Sequence, residues 1–126
     1  SLMGLLDGLL GNASESDAQE IQLELQQLLA PGETVRAAYA VIRDLLVFTT
    51  KRLILVDKQG LTGKKREYVS IPYRSVERFS METTGHFDLD AELKIWVRGQ
   101  ADPISKTFRD DKNIYDVYRA LSEFTL

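Results

Sequence analysis

The residues of this chain best suited to chemistry are four ionisable side chains at every second position: His86, Asp88, Asp90 and Glu92. In an extended strand, residues at this spacing point to the same side. One imidazole and three carboxylates could then bind a divalent metal ion. Metal ligands usually come from several chain segments, however, and carboxylates along a strand commonly face solvent, where they oppose pairing between sheet edges. We therefore predict neither a metal site nor a cofactor.

The hydroxyl and thiol side chains show no pattern typical of covalent catalysis. Ser75 and Ser80 have no base close in sequence, and the single histidine, His86, could pair with a serine only through the fold. The chain has no cysteine, so it has no thiolate nucleophile and no cysteine-based zinc site. It also lacks a nucleophile elbow, a glycine-rich phosphate loop and a dinucleotide fingerprint. These observations predict a protein that is not an enzyme.

The densest basic cluster could form an anionic-ligand patch, and its members are Lys58, Lys64, Lys65 and Arg66. Each charge near an anionic membrane contributes about 1 kcal/mol. Stable anchoring usually needs more basic residues or a second signal, so a solvated loop is the simpler interpretation. The formal net charge of -3 disfavours a general nucleic-acid binder. We expect no nucleic-acid partner and at most a weak membrane contact.

The length and composition are those of one globular domain, residues 1–126. The chain has 44% hydrophobic and 28% charged residues, which is ordinary for a soluble protein. No apolar run reaches the ~20 residues that span a bilayer. The N-terminal segment, residues 3–11, is apolar but lacks the basic region of a signal peptide. We therefore expect a cytoplasmic location.

The first 32 residues predict a Leu/Gly segment followed by a helix. Ser14 with Asp17 is similar to a capping box, and Pro31-Gly32 ends the helix. An apolar stripe recurs between these signals at steps of three and four residues: Ala18, Ile21, Leu25 and Leu28. This part of the chain is therefore predicted to lie outside the strands that follow.

Residues 33–108 predict a β-barrel. The run 45–57 has two apolar blocks around the polar break 49–52, which is typical of a tight antiparallel hairpin. Before it, residues 33–42 alternate and place on one face Val35, Ala37, Tyr39 and Val41. Further short strands are predicted over residues 68–71, 76–83, 89–97 and 104–108. About seven antiparallel strands favour a barrel or an orthogonal sandwich.

A helix over residues 110–126 is predicted to close the barrel. Asp110 or Asp111 would cap it. Its apolar stripe consists of Ile114, Val117, Tyr118, Leu121 and Phe124. We expect six residues of the hairpin, the later strand and this helix to be buried together: Phe48, Leu53, Leu55, Ile95, Leu121 and Phe124.

Five segments in this order resemble the bacterial pleckstrin-homology (PH) domain family of small stand-alone proteins, and they span residues 4–11, 29–33, 48–57, 71–76 and 85–97. The resemblance covers nearly the whole chain. It implies a mainly β, PH-like barrel of two orthogonal sheets, capped by the C-terminal helix and preceded by an extra N-terminal helix. It also implies no known enzymatic activity and a tendency toward ring-shaped homo-oligomers.

The resemblance does not extend to the lipid site of eukaryotic PH domains. Those domains hold phosphoinositides with basic residues around the loop between the first two strands. Here that loop is Ile42-Arg43-Asp44, so a single arginine stands beside an aspartate. Phosphate clamping needs several converging donors, and we do not expect this role.

Apolar residues outside the barrel predict a cyclic homo-oligomer. Four leucines in the leading segment would be costly to expose, so they pack on the protomer, contact another subunit or touch membrane. Trp96 alternates with the apolar residues of its strand, and it either packs under a helix of its own chain or lies at a subunit contact. The candidate interface residues are Leu5, Leu6, Leu9, Leu10, Ile21, Leu25, Leu28, Trp96 and Arg98.

The function predicted from these features is a non-enzymatic PH-like binding or scaffold module that acts as a homo-oligomer. Its ligand is not identified, and an unknown protein partner is compatible with the pattern. The alternative is a peripheral domain that binds anionic lipid through residues 5–10 and 64–66.

Overall fold

The computed structural model describes residues 15–41, 44–59, 65–83, 90–108 and 113–126, and these ranges hold two helices and seven strands. Helix α1 (Glu15–Leu28) comes first and helix α2 (Asn113–Thr125) comes last. The strands are β1 (Val35–Val41), β2 (Asp44–Thr49), β3 (Arg52–Gln59), β4 (Lys65–Pro72), β5 (Val76–Thr83), β6 (Ala91–Val97) and β7 (Ile104–Phe108). A 3-10 helix, Tyr73–Ser75, joins β4 to β5. The predicted mainly β class with flanking helices is confirmed.

The strands form two antiparallel sheets. One sheet has the order β1-β2-β3-β4 and the other has the order β5-β6-β7. The predicted hairpin is β2–β3, in which Phe48 pairs with Leu53 across the turn. Leu45, Leu46, Val47 and Phe48 are all buried. A continuous apolar run is typical of a strand that is covered on both faces, and β2 is such a strand.

Two hydrophobic clusters cover the two faces of the four-stranded sheet. The first cluster lies between the sheets and α2, and its largest members are Phe48, Leu53, Leu93, Ile95, Phe108, Ile114 and Leu121. The second lies between this sheet and α1, and consists of Ile21, Leu25, Ala38, Leu45, Val47, Ile54 and Val56. Five of the six residues expected to be buried together belong to the first cluster, and Phe124 packs against it partly buried.

The alternation predicted for β1 is wrong at one residue. Ala37, Tyr39 and Val41 face the first cluster, whereas Val35 packs against the second. The pairing of β1 with β2 shifts between Val35 and Ala37. An extra residue in a strand reverses the faces that follow it, which is why Val35 lies on the opposite side.

Helix α2 closes the first cluster as predicted. Ile114, Val117 and Leu121 are buried. The ring of Phe124 stacks on two other rings, with centroid distances of 5.7 Å to Phe48 and 5.3 Å to Tyr73. The predicted cap residues, 110 and 111, lie outside the described residues.

The end of α1 is set by the turn predicted from Pro31-Gly32. Gly32 has φ 81°, and the N–H of Glu33 donates to the carbonyl of Ala30 over 3.0 Å. Proline followed by a positive-φ glycine is typical of a type II turn. After this turn, the buried side chain of Glu33 contacts Thr49 and Arg52 of the β2–β3 hairpin.

Candidate functional site

The predicted anionic-ligand patch needs a correction at Arg66. Its side chain is 5% exposed, and its Nη1 lies 3.4 Å from Oε1 of Glu24 on α1. Arg66 alternates along β4 with Lys65, which is exposed. Lys64 and the side chain of Lys58 lie outside the described residues. Arg66 thus contributes to the packing of α1 on the sheet and not to an exposed basic patch.

Lys106 forms ion pairs with two aspartates, Asp44 at the start of β2 and Asp57 on β3. Nζ of Lys106 on β7 lies 2.9 Å from Oδ2 of Asp44 and 3.0 Å from Oδ1 of Asp57. Burial alone would lower the pKa of Lys106, but the two carboxylates outweigh it and raise this pKa above its ordinary value. Lys106 therefore ties the three-stranded sheet to β2 and β3. Residues 42 and 43 lie outside the described residues.

Two of the four residues of the metal-ligand hypothesis lie within the described ranges. His86 and Asp88 lie outside the described residues, Asp90 is exposed, and Oε1 of Glu92 lies 3.5 Å from Nζ of Lys94. Within the described ranges, no group of three or more His, Cys, Asp or Glu side chains could hold a metal ion. Glu92 is therefore placed next to a cation of its own strand.

Trp96 lies on the outer face of the three-stranded sheet, beside an arginine. It pairs in register with Arg78 on β5, and Cζ of Arg78 lies 4.3 Å from the indole centroid. A guanidinium at this distance from an indole makes a cation–π contact. Trp96 belongs to neither of the two hydrophobic clusters. The first cluster contains the buried residues of α2, and the second contains those of α1.

Two more arginines flank the paired strands β5 and β6: Arg74 lies in the 3-10 helix before β5, and Arg98 directly follows β6. The backbone N–H of Arg98 donates to the carbonyl of Ser75 over 2.8 Å. The side-chain Nη2 of Arg98 lies 3.4 Å from the carbonyl of Arg74. Arg74, Arg78 and Arg98 are exposed. None of the three joins an ion pair among the described residues. We call these three arginines with Trp96 the arginine–tryptophan surface.

The arginine–tryptophan surface borders a cleft. The cleft has a volume of about 230 Å³ and lies between β5 and the end of α2. Its lining residues are Val76, Glu77, Arg78, Phe79, Tyr118, Thr125 and Leu126. The rings of Phe79 and Tyr118 meet edge to face with centroids 5.0 Å apart. Arg78 belongs to both features, so the surface and the cleft form one continuous candidate site.

The sequence identified only two of the four residues of the arginine–tryptophan surface. Trp96 and Arg98 were predicted from the alternation in their own strand. Arg78 was missed because it reaches Trp96 through the pairing of β5 with β6, which shifts between Val76 and Arg78, and Arg74 was missed because it lies in the 3-10 helix before β5. A register shift of one residue decides which side chain lies opposite the tryptophan, and a sequence does not show it.

The other candidate interface residues lie in different places. Ile21 is 9% exposed and Leu25 is 0% exposed, because both pack on the four-stranded sheet of their own chain. The predicted contact with a neighbouring copy is corrected for these two residues. Leu28 is 41% exposed. Leu5, Leu6, Leu9 and Leu10 lie outside the described residues. In the described ranges, neither helix has the length and apolar character needed to cross a membrane.

Comparison with protein families finds a match over nearly the whole chain. The model described as "Bacterial PH domain" matches residues 4–125. The uncharacterized protein YjqA of Bacillus subtilis strain 168 is 58% identical over 121 residues, which cover 95% of this chain and 97% of that protein. A second uncharacterized protein of that strain, YozO, is 28% identical over 116 residues, covering 92% of this chain and 96% of YozO.

Solved structures show the same arrangement. A pleckstrin-homology domain from Shewanella amazonensis SB2B superimposes with a TM-score of 0.77 at 43% identity, over 84% of this chain and 96% of that one. A protein with a pleckstrin-homology domain from Shewanella loihica PV-4 superimposes with a TM-score of 0.74 at 45% identity, over 86% of this chain and 92% of that one. The two sheets and the closing helix described above are thus a PH fold.

Proposed function

The chain belongs to the bacterial PH domain family, and from this premise we propose that it is a non-enzymatic binding module that works as a homo-oligomer. The arginine–tryptophan surface forms part of the contact between copies. A head-to-tail contact repeated around a closed ring would use the same surface in every subunit.

The observation that carries the proposal is the position of the single tryptophan. The four-stranded sheet has α1 on its outer face, whereas Trp96 belongs to neither of the hydrophobic clusters that contain the two described helices. Tryptophan and arginine are enriched where proteins bind each other and dominate the energy of such contacts. Trp96 with Arg78 and Arg98 therefore has the composition of an interface, and a second copy of this chain is the proposed occupant.

The non-enzymatic part of the proposal is supported by the places of the shifted titratable groups. Shifted pKa values commonly mark catalytic groups in clefts. Here the pKa of Glu33 is lowered by ion pairing and hydrogen bonding inside the fold, and Lys106 is held between two aspartates. Neither group lines the cleft between β5 and α2. Both shifts thus have a structural cause.

The test is the molar mass of the chain and of matched variants by size exclusion with multi-angle light scattering. We expect the wild type to exceed the mass of a dimer at about 50 micromolar. Trp96→Glu and Arg98→Glu should lower the mass, because each places a carboxylate in the proposed contact. Glu67→Arg, an exposed change on β4, is the control and should leave the mass unchanged.

Two outcomes would contradict the proposal. A monomeric wild type at this concentration would remove the assembly itself. A wild-type oligomer whose mass is unchanged in both Trp96→Glu and Arg98→Glu would place the contact elsewhere, for example at strand edges. Far-ultraviolet circular dichroism of each variant shows whether it is folded, and Arg98→Glu is the gentler change because Arg98 is exposed.

A further inference from the structure

Helix α1 covers the outer face of the four-stranded sheet with few buried side chains. Among its described side chains, residues 21–28, only Ile21 and Leu25 are buried, and Leu23 is 62% exposed. The face beneath the helix is apolar, and its buried members are Ala38, Leu45, Val47, Ile54 and Val56. Two buried side chains of α1 therefore cover an apolar face that three strands build.

Two arginines of the sheet show the direction in which α1 crosses this face. Nη1 of Arg66, near the start of β4, lies 3.4 Å from Oε1 of Glu24. Nη2 of Arg52, at the start of β3, donates to the carbonyl of Leu28 over 2.8 Å. Because β3 and β4 are antiparallel, these two arginines lie at opposite ends of the sheet. The N-terminal part of α1 therefore points toward the end at which β4 begins.

The strand register places a different apolar row under each part of the helix. Leu45 pairs with Val56, which pairs with Tyr68, and this row lies toward the start of β4. The next row on the same face, Val47 with Ile54, lies toward the start of β3. The N-terminal part of α1 is thus nearer the row of Leu45, and its C-terminal end is nearer the row of Val47.

The C-terminal end of α1 is held firmly by the β2–β3 hairpin. Besides its bond to the carbonyl of Leu28, Arg52 makes two contacts of 2.9 Å with the carboxylate of Glu33. Oε1 of Glu33 also accepts a hydrogen bond from the backbone N–H of Ala30 over 2.8 Å. Charge-assisted bonds of this kind are stronger than neutral ones, so residues 28–33 are fixed to the sheet.

The N-terminal part of α1 is held less well and its interface contains unpaired polar atoms. Three buried oxygens have no hydrogen-bond partner among the described residues: Oε1 of Gln22, Oε2 of Glu24 and the hydroxyl of Tyr68. A buried polar group without a partner is unfavourable, and it regains hydrogen bonds when it reaches water. Lifting this part of α1 would therefore hydrate groups that the closed helix leaves unpaired.

We propose that α1 is a hinged cover, whose N-terminal part, up to Glu24, opens while its C-terminal end stays attached to the hairpin. Opening exposes the row of Leu45, Val56 and Tyr68 and leaves both sheets folded. Elements with few buried apolar contacts open locally in this way. The outer face of the four-stranded sheet is then an apolar surface that is exposed only on opening. The hinged cover needs one protomer only, so it is independent of the proposed assembly.

Thiol labelling of single-cysteine variants measures the opening, because the chain has no cysteine of its own. Leu45→Cys places a thiol under the N-terminal part of α1, and Leu46→Cys places one between the sheets. The two residues are adjacent on β2 and both are buried, so they form a matched pair. Each rate of reaction with excess 5,5′-dithiobis(2-nitrobenzoate) is divided by the globally unfolded fraction of that variant, which urea unfolding gives.

The expected result is faster labelling on the covered outer face. After this correction, Leu45→Cys should react at least about tenfold faster than Leu46→Cys, because local opening exposes only the former. Equal corrected rates would show that α1 leaves the sheet only on global unfolding, and would overturn the proposal. Val47→Cys lies under the held end and should react about as slowly as Leu46→Cys. A rate equal to that of Leu45→Cys would overturn the hinge.

Substitutions in β4 test the opening in both directions, in the Leu45→Cys background. Tyr68→Phe removes a buried hydroxyl that has no partner, so labelling should slow about fivefold. Arg66→Met removes the ion pair with Glu24 and should speed labelling at least about threefold. Lys65→Met, an exposed change on the same strand, is the matched control and should change the rate less than about twofold. Unchanged rates in both Tyr68→Phe and Arg66→Met would overturn the proposal.

Discussion

Arg52 and Glu33 are joined by two parallel contacts inside the fold. Nε of Arg52 lies 2.9 Å from Oε2 of Glu33, and Nη2 lies 2.9 Å from Oε1. The same Nη2 donates to the carbonyl of Leu28 over 2.8 Å, at the end of a helix whose last turn has no basic residue. A cation at a helix C-terminus stabilises the unpaired carbonyls. One arginine of the hairpin thus holds both Glu33 and the end of α1.

The Glu33 carboxylate should make the fold less stable in acid. Burial alone would raise its pKa, but hydrogen bonds from Arg52, from Thr49 Oγ1 and from the Ala30 N–H lower this pKa from 4.5 to about 2. Because the pKa is lower in the folded state, the stability that Glu33 contributes is complete above about pH 4.5 and is lost as the pH falls toward 2. The difference corresponds to roughly 3 kcal/mol.

Urea unfolding at several pH values measures this contribution. Glu33→Gln should be less stable than the wild type at pH 6, and its free energy of unfolding should fall less between about pH 5 and pH 2. Glu67→Gln, on an exposed residue of β4, serves as the control and should keep the wild-type pH dependence. An unchanged pH slope in Glu33→Gln would show that another group causes the acid sensitivity.

Truncating Phe124 tests the closing helix. Its ring stacks on Phe48 and Tyr73 but is only partly buried. Phe→Ala costs about 3–5 kcal/mol in a full core, so we expect the lower end of that range for Phe124→Ala in chemical denaturation. Tyr115→Ala, 51% exposed on the same helix, should cost far less. A loss below about 1 kcal/mol for Phe124→Ala would exclude the last turn from the core.

The parts of the fold that were predictable depend on local patterns. The hairpin and the stripe of α2 follow from residue spacing, and the turn after α1 follows from Pro31-Gly32. The role of Arg52 was missed because its partner Glu33 lies 19 residues earlier in the chain, before β1 and β2. The predicted face of Val35 was wrong because the register of β1 shifts between Val35 and Ala37. No glycine or proline in this part of the sequence indicates such a shift. Both depend on tertiary pairing.

Replacing Lys106 tests the bridge between the sheets. Lys106→Met removes two ion pairs and leaves Asp44 and Asp57 facing each other without a cation. Removing one partner of a partly buried pair is more costly than losing an exposed pair, so we expect a loss of about 1–3 kcal/mol. Lys94→Met breaks an exposed pair with Glu92 and should change the stability by less than about 0.5 kcal/mol. Equal effects of the two changes would contradict a bridging role for Lys106.

The raised pKa of Lys106 also predicts a pH effect in base. A raised folded-state pKa means that the stability from Lys106 is complete below its ordinary value of 10.5 and is lost as the pH rises through the folded-state value. Unfolding of the wild type and of Lys106→Met should therefore converge in strong base. A gap that stays constant up to about pH 12 would show that packing, and not charge, explains the cost of the change.

Binding to phosphoinositide vesicles should be weak and should fall steeply with salt. Arg66 pairs with Glu24, and Lys106 is held by two aspartates, so the affinity would come from exposed basic side chains that salt screens. Co-sedimentation with vesicles at about 0.02 M and 0.15 M salt measures it, with phosphatidylserine vesicles as the comparison for headgroup choice. Tight, headgroup-selective binding at the higher salt would favour the peripheral-membrane alternative.

The most direct test of the assembly proposal is native mass spectrometry of the wild-type chain over a range of concentrations. A closed ring has a fixed number of subunits. We therefore predict one species whose mass is a single integer multiple of the chain, greater than two, and which persists on tenfold dilution. A monomer, or a ladder of sizes that shifts with concentration, would contradict the proposal that this PH domain works as a closed homo-oligomer.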